Sequence, residues 1–428
     1  MEALKLQLQS LVNNMKTTSL KSDTNIKLPL AFILYALIAF VVAQGVLLLN
    51  SDLLVSSQFR LPSSWMGAHF LLLGFAVMIA MGAMYQLVPV AFLTPIWNQK
   101  LGCLQFVITV VGITSLTLTL GFKPTSAIYG GILTIFGITL FIIQMAMTIS
   151  KQKQRNMISF FVIAAVSSFA LTILAGFVLA WNIAYGGIES HHSILYSHIT
   201  LGVAGWFTLL IFGFSYKLVP MFSLSHGFTL KWTSLSFSTY VFGLLILIVS
   251  FWVDLDALTT IGWLFLFIGF SFFVLDMRAI LLKRLKKKLD KPFAFSVIAI
   301  GNGLVIHSLA LILSLFGIND SSIWSWLIFL YVMSWIIFSI LGYLYKIVPF
   351  LWWTHKYADK IGKEKVPTMK DMIDEKMSVV LFSLFVVSII GLATGALLQI
   401  SLVVLTFQAL LTVTSFLYAF SIIRILFR

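Results

Sequence analysis

The sequence is poor in charged residues and in cysteine. Only 10% of the 428 residues are charged, and Cys103 is the single cysteine. One cysteine excludes a disulfide framework within the chain and any zinc or iron–sulfur site that needs several thiolates. Because charged side chains cover the surface of a water-soluble domain, their scarcity also excludes an ordinary globular protein.

Hydrophobic residues make up 60% of the chain, and they occur in long runs. Apolar runs are separable at roughly residues 28–50, 63–92, 101–121, 126–149, 157–184, 193–224, 231–252, 257–283, 293–316, 322–353, 377–397 and 399–427. A run of about twenty apolar residues is long enough to cross the hydrocarbon core of a bilayer as a helix. The sequence therefore predicts an all-α integral membrane protein with twelve transmembrane helices, surrounded by the lipid bilayer.

The net charge of +14 comes from lysines and arginines that lie between the apolar runs. Lys151, Lys153 and Arg155 share one connection, whereas residues 185–193 contain no basic side chain except histidine. This alternation indicates orientation rather than nucleic-acid binding, and it predicts that both termini face the cytoplasm. We expect residues 1–26 to be a cytoplasmic tail and residues 27–428 to be a single transmembrane domain.

Two further expectations concern charged groups near the predicted cytoplasmic side. Asp276 and Arg278 lie near the inner end of helix 8, where we expect them to pair. Residues 353–376 mix acidic and basic side chains, so they are interpreted as a solvated loop or as an amphipathic helix on the cytoplasmic surface.

A short motif, Gly-x-x-Tyr-x-Leu/Ile-Val-Pro, occurs three times. Its repeated positions are Gly82, Tyr85 and Pro89; Gly213, Tyr216 and Pro220; and Gly342, Tyr345 and Pro349. One copy would be explained by a proline that ends a helix and a tyrosine at the lipid headgroups. Three copies, each closing the second helix of a four-helix block, indicate an internal repeat.

The repeat divides the transmembrane domain into blocks of about 27–150, 151–290 and 291–428. Four membrane crossings return the chain to its starting side, so all three blocks have the same orientation. Parallel repeats of this kind can pack around an axis normal to the membrane. We therefore predict three four-helix arcs with pseudo-three-fold symmetry.

These features resemble the catalytic subunit of the heme–copper oxidase superfamily, and most closely its nitric oxide reductases and compact bacterial oxygen reductases. The stretch from His198 to Trp206, followed by the second copy of the motif, is similar to the ligand-bearing helices of that family. The resemblance covers essentially the whole transmembrane chain. It implies an axial histidine of a low-spin heme on helix 2, a copper or iron ligand on helix 6 and a His-x-His pair on helix 10.

The chain matches part of that pattern and departs from the rest. His69 on helix 2 and His198 on helix 6 occupy positions comparable to the family's ligands. Helix 10 carries Trp324 and Trp326 where the resemblance implies the His-x-His pair, and residues 232–252 of helix 7 contain no histidine. The resemblance therefore implies a divergent member with a reduced cofactor set, and it leaves open whether the chain is an enzyme.

Three histidines, His69, His198 and His307, lie on different helices at a comparable depth. A histidine inside a membrane is costly unless it is paired, binds a metal or faces a polar cavity. We expect His69, whose position agrees with the resemblance, and His307 to be the candidates for binding a b-type heme, and His198, with His191 and His192, to be the candidates for binding copper or iron. The alternative is that these side chains form hydrogen bonds between helices and bind no cofactor.

Three functional hypotheses follow from these residues. The first is a heme–copper-oxidase-like protein of the bacterial cytoplasmic membrane that acts in respiratory electron transfer or handles nitric oxide or oxygen, with a partner respiratory subunit or as a homo-oligomer. The second is a cofactor-free scaffold reused as a transporter or as an accessory or assembly subunit. The third is an active reductase whose ligands have moved, which requires His191, His192 and His198 to bind one copper ion.

Overall fold

The computed structural model describes residues 26–152, 155–285 and 288–428. Within these residues, twelve helices are long and apolar enough to cross a membrane, which confirms the predicted all-α integral membrane protein. We number them α1 to α12: Lys27–Leu49, Pro62–Phe92, Gln99–Phe122, Pro124–Ile149, Met157–Tyr185, His191–Ser223, Thr233–Val253, Asp256–Leu282, Lys291–Leu315, Ser321–Lys360, Glu375–Leu397 and Ser401–Phe427. Of the predicted cytoplasmic tail, only Ile26 lies within the described residues.

Polar side chains mark where several of these helices begin. The side chains of Asn98, Asn156, Asp320 and Asp374 accept hydrogen bonds from backbone N–H groups in the first turns of α3, α5, α10 and α11. The first N–H groups of a helix have no partner within the helix, so such caps stabilise its start. The residues between the helix ends are almost wholly apolar, as contact with lipid requires. Lipid offers no hydrogen bonds to the backbone, and a helix pairs its own N–H and C=O groups.

The helices differ in how much of their surface faces the rest of the protein. In the most apolar segment of each, α2, α6 and α10 bury 72%, 78% and 78% of their residues, whereas the other nine bury between 28% and 50%. The second helix of each predicted block is therefore interior, and the others expose apolar faces suited to lipid. Hydrogen bonds between the hydroxyls of Thr208 and Tyr331, 2.8 Å apart, and between those of Ser215 and Tyr343, 2.9 Å apart, join α6 directly to α10.

Each of the three interior helices contains a π-helical segment at the same place. These segments are Phe70–Val77 in α2, Leu201–Thr208 in α6 and Tyr331–Ile337 in α10. Each ends five residues before the glycine of the repeated motif. A π segment widens the helix and changes the direction of the side chains that follow, and such segments are frequent at functional sites.

The motif glycines allow each interior helix to approach the first helix of its own block. A Cβ atom on Gly82 would lie 2.7 Å from Cβ of Phe32 on α1, and one on Gly213 would lie 2.9 Å from Cβ of Phe161 on α5. The same substitution at Gly342 would collide with Ser296 on α9. The motif therefore has a packing role in all three copies.

The motif tyrosines contact the fourth helix of each block. The ring of Tyr85 lies 6.1 Å from Phe141, that of Tyr216 lies 5.7 Å from Phe273, and that of Tyr345 lies 5.3 Å from Tyr418. Each block therefore repeats the same local contact. The arrangement of the blocks as three arcs around one axis stays a prediction.

The motif prolines lie inside the helices rather than at their ends. Pro89 lies three residues before the last residue of α2, and Pro220 lies three residues before the last residue of α6. Both helices end where the next residue adopts a left-handed conformation, Leu93 with φ of 52° and Leu224 with φ of 53°. In α10 the helix continues past Pro349 to Lys360. The segment 353–376, predicted to be a solvated loop or an amphipathic helix, is consequently part helix, with 3-10 turns at Ala358–Lys360 and Met369–Met372.

Candidate functional site

Two of the predicted ligands lie at equivalent ends of α2 and α6, next to the π segments. His69 is the residue immediately before Phe70–Val77, and His198 lies three positions before Leu201–Thr208. Both side chains are half-buried. The local widening of the helix thus begins one residue after His69 and three residues after His198.

The structure brings these two imidazoles together. Their ring centroids are 6.4 Å apart, and the ring planes are within 21° of parallel. An imidazole nitrogen binds a metal ion at about 2.0–2.1 Å, so two imidazoles on opposite sides of one ion have ring centres about 6 Å apart. The observed separation of the His69 and His198 rings matches that spacing.

Hydrogen bonds to backbone carbonyls define which nitrogen of each ring is free. Nδ1 of His69 lies 2.8 Å from the carbonyl oxygen of Trp65, and Nδ1 of His198 lies 2.9 Å from that of Thr172 on α5. Because a carbonyl oxygen only accepts, each Nδ1 carries the proton and each neutral ring has its lone pair on Nε2. Among the described residues neither Nε2 has a hydrogen-bond partner, which is the state required of a metal ligand.

Helix α5 supplies two residues that sequence reasoning missed. Thr172 orients His198 through the carbonyl contact, and Gly176 leaves room for the ring. A Cβ atom at residue 176 would lie 2.9 Å from Cε1 of His198 and 3.2 Å from its Nδ1. A glycine in the middle of an apolar helix lowers its stability unless close packing requires it, so Gly176 was the signal in the sequence for a close contact on α5.

Polar contacts outside the two histidines tie together the ends of the helices that carry them. The guanidinium of Arg60, just before α2, donates to the hydroxyl of Tyr196 on α6 at 3.3 Å and lies 5.8 Å from the centre of its ring. The indole N–H of Trp252 on α7 donates to the hydroxyl of Ser197 at 3.1 Å. These contacts connect the two residues of α6 that directly precede His198 to the start of α2 and to α7.

His307 is placed in a different environment, fully buried between α7, α9 and α10. Its Nδ1 lies 2.7 Å from the carbonyl oxygen of Gly303, and its Nε2 lies 3.2 Å from the hydroxyl of Tyr240 and 3.3 Å from that of Tyr331. Both ring nitrogens are therefore engaged by protein groups. The structure brings His69 close to His198 rather than to His307. His307 instead forms hydrogen bonds to other helices, which was the alternative to cofactor binding.

The residues of the predicted copper site do not converge. Nδ1 of His191 lies 3.1 Å from the side-chain nitrogen of Asn182, while His192 is exposed and stacks on Tyr196 with ring centroids 6.2 Å apart. Over the described ranges, no three side chains of His, Cys, Asp or Glu lie close enough together to hold a metal ion. The hypothesis of one copper ion bound by His191, His192 and His198 is not supported by this arrangement.

The predicted pair of Asp276 with Arg278 is wrong. Asp276 is fully buried and accepts hydrogen bonds from the hydroxyl of Thr233 at 2.7 Å, the hydroxyl of Tyr216 at 3.2 Å and the backbone N–H of Trp232 at 3.2 Å. Arg278 lies on the exposed face of the helix. Residues two positions apart point to different faces of a helix, which is why the pair does not form.

The donor set of the candidate site is therefore two neutral imidazoles on neighbouring interior helices. A bare metal ion in a protein usually takes three or four protein ligands. An iron held by a porphyrin already has four ring nitrogens and needs only axial ligands from the chain, and histidine is a common one. The two free Nε2 atoms fit a heme iron better than an isolated copper or zinc ion.

Comparison with known proteins does not identify the chain: no protein-family model matches it, and no curated protein is significantly similar to it.

Proposed function

We propose that the chain is a membrane heme protein with a heme–copper-oxidase-like architecture and a reduced cofactor set, in which His69 and His198 are the axial ligands of one b-type heme. The observation that carries the proposal is the pair of nearly parallel imidazoles with free Nε2 atoms and ring centroids 6.4 Å apart. The repeated π segments and motif contacts of α2, α6 and α10 support three related blocks.

The proposed ligand pair favours electron transfer over gas binding. When bound, a b-type heme supplies one-electron chemistry. If His69 and His198 both held the heme iron, the chain would supply both of its protein ligands, and the heme would carry electrons rather than bind nitric oxide or oxygen. The carbonyl groups of Trp65 and Thr172 hold the two rings in the tautomer that ligation needs, and Gly176 allows the ring of His198 its position.

The proposed location is a bacterial cytoplasmic membrane with both termini in the cytoplasm and a respiratory subunit or a second copy as partner. The connection after α8 carries the exposed basic side chains Lys283, Arg284 and Lys288. The connections after α5 and α7 carry the acidic side chains Glu189 and Asp254 instead. Reporter fusions after residues 188 and 288 test the orientation, since only the second is expected to report a cytoplasmic position.

The heme is tested by optical spectra of the purified, detergent-solubilised protein, oxidised and dithionite-reduced, with a pyridine hemochrome assay and analysis for iron and copper. We expect one heme b per chain and a low-spin spectrum. His69→Ala and His198→Ala are each expected to lose the heme or convert it to high spin. His192→Ala, which changes an exposed histidine, is the matched control and should retain the wild-type spectrum.

The spectra also discriminate the alternatives. If His307→Gln abolishes the low-spin heme while His198→Ala leaves it intact, the ligand pair proposed here is wrong, and the pair of His69 with His307 expected from the sequence is correct. A colourless, metal-free but folded preparation from heme-replete cells would instead leave the reused, cofactor-free scaffold.

A further inference from the structure

The connection between α8 and α9 begins with a dense basic run. Five of the six residues that follow α8 are lysine or arginine: Lys283, Arg284, Lys286, Lys287 and Lys288. The structure describes Lys283, Arg284 and Lys288, and all three are exposed. Basic clusters of about this size directly after a transmembrane helix are typical of segments that bind anionic lipid. A basic run also follows from orientation alone, so the residues around it decide between the two.

The connection between α6 and α7 lies against this run. Ser225 and Arg284 form an antiparallel backbone bridge. The backbone N–H of Leu285 donates to the carbonyl oxygen of Leu224 at 3.3 Å. Residues 224–232 and 283–290 are therefore held side by side at the same end of the helix bundle.

The far end of the α6–α7 connection is fixed to α8. The ring of Trp232 stacks on Phe272 with centroids 5.1 Å apart, and its backbone N–H donates to Asp276 at 3.2 Å. Trp232 is 36% exposed, and tryptophan is enriched at the depth of the lipid headgroups. The two connections together carry four exposed cations at this depth, which we call the basic patch: Lys231, Lys283, Arg284 and Lys288.

The cations of the basic patch are not neutralised by the protein. Within the described ranges, none of the four forms an ion pair with a carboxylate. The two acidic residues at this end of α8 and α9 are engaged elsewhere. Asp276 is buried and accepts three hydrogen bonds, and Asp290 pairs with Lys346 of α10. The patch is therefore complementary to an anion from outside the chain.

Exposed leucines lie beside the basic patch. Leu275, Arg278 and Leu282 recur at spacings of three and four residues, which places them on one face of α8. Leu282 is 66% exposed, and Leu285, just after the helix, is 70% exposed. The exposed Arg278 suits this face, because an arginine stem can lie among acyl chains while its guanidinium reaches the headgroups. We call these four residues the leucine face.

We propose that the basic patch binds the phosphate of an anionic phospholipid whose acyl chains lie along the leucine face of α8. Such a lipid neutralises the cations and covers the leucines at once. A soluble phosphate leaves the leucines uncovered, and a zwitterionic lipid brings a cation of its own to the patch. The bound lipid bridges the α6–α7 and α8–α9 connections. The site is independent of the proposed heme.

Native mass spectrometry of the delipidated, detergent-solubilised chain tests the proposal. The probes are phosphatidylglycerol and phosphatidylcholine with identical acyl chains. We expect the wild-type chain to bind phosphatidylglycerol about ten-fold more tightly. A photoactivatable phosphatidylglycerol should crosslink to residues 224–232 and 275–288. Equal affinity for the two lipids, or crosslinks confined to other helices, would overturn the proposal.

A triple substitution links the preference to the basic patch. The variant that combines Lys283→Gln, Arg284→Gln and Lys288→Gln should bind phosphatidylglycerol about ten-fold more weakly and phosphatidylcholine unchanged. The matched control removes the same charge from three exposed lysines of the α10–α11 connection: Lys363→Gln, Lys365→Gln and Lys370→Gln. All six side chains are exposed, so both variants should fold, and the control should keep the wild-type affinity.

Two outcomes contradict the site. Equal losses in the two triple variants would show that the preference reflects net charge rather than the basic patch. Displacement of the lipid by an equal concentration of free glycerol phosphate would show that the patch binds a phosphate without using the leucine face.

Discussion

Nδ1 of His198 on α6 lies 2.9 Å from the carbonyl oxygen of Thr172 on α5. A candidate ligand is thus oriented by the backbone of a neighbouring helix that carries no ligand itself. The contact depends on close approach of the two helices, which Gly176 permits. The first prediction concerns this glycine.

Gly176→Ala should disturb the heme site without removing a ligand. The added Cβ would lie 2.9 Å from Cε1 of His198, a distance that forces the ring or the helix to move. We expect less heme per chain and a shift of the low-spin spectrum toward high spin. Gly301→Ala is the control, since nothing lies within 4 Å of a Cβ at residue 301. A wild-type spectrum in both variants would contradict the role given to Gly176.

His307→Leu should affect stability rather than cofactor binding. The substitution removes the acceptor that faces the hydroxyls of Tyr240 and Tyr331, which keep their bond to each other and that of Tyr331 to Thr208, so the loss is about 0.5–1.5 kcal/mol. We expect a lower thermal unfolding temperature in detergent with an unchanged heme content. A stable variant that lacks heme would show that His307 is a ligand. His192→Ala serves as the comparison because its side chain is exposed.

Substitutions of the motif glycines by alanine test the repeat. Cβ atoms at Gly82 and Gly213 would lie 2.7 Å and 2.9 Å from phenylalanine Cβ atoms on the neighbouring helices. Overpacking of this kind costs about 1–3 kcal/mol. We expect each variant to unfold at a lower temperature than wild type. Gly45→Ala, in a helix position with open space, should be neutral or slightly stabilising.

Asp276→Leu should destabilise the junction of α6, α7 and α8. It leaves the donors of Tyr216, Thr233 and Trp232 without their acceptor, at a total cost of about 2–5 kcal/mol. Asp276→Asn keeps the shape and one acceptor oxygen, so it should lose less. Arg278→Gln should change stability by less than about 0.5 kcal/mol, because the side chain is exposed and unpaired with Asp276. Comparable losses from Arg278→Gln and Asp276→Leu would restore the predicted pair.

The stability of the turn between α10 and α11 should depend on pH. Hydrogen bonds from the hydroxyl and the backbone N–H of Thr368, both 2.8 Å, lower the pKa of Asp371 below its ordinary value. A lowered pKa in the folded state means that the carboxylate stabilises the turn above the unfolded pKa, and that this contribution is lost as the pH falls through the folded pKa. The protection factors of residues 361–374, which correct for the pH dependence of intrinsic amide exchange, should therefore fall in acid, and Thr368→Val should shift that fall to higher pH.

The membrane class and the helix number were predictable from the sequence. An apolar run of this length has only one way to satisfy its backbone in lipid, so composition alone predicts each helix. The positions of Gly82, Gly213 and Gly342 likewise predicted three equivalent blocks, and all three glycines prove to be contact points. The helix boundary after Pro349 was not predictable, since a proline in the last turns of a helix does not by itself specify where the helix ends.

The candidate site depended on the tertiary structure. The sequence identified His69, His198 and His307 as polar residues in apolar helices, and each of them does lie at a polar contact. It could not say which two would face each other, because spacing along the chain does not report which helices are neighbours. Nor could it show that Tyr240 and Tyr331 engage His307, or that Thr172 orients His198.

The sequence by itself determined that this chain is an all-helical membrane protein, because burial in lipid constrains every backbone group locally. Only the tertiary structure decided that the imidazoles of His69 and His198 lie nearly parallel with free Nε2 atoms, whereas Nε2 of His307 faces two tyrosine hydroxyls. Both outcomes depend on how helices that are distant in the sequence pack against one another.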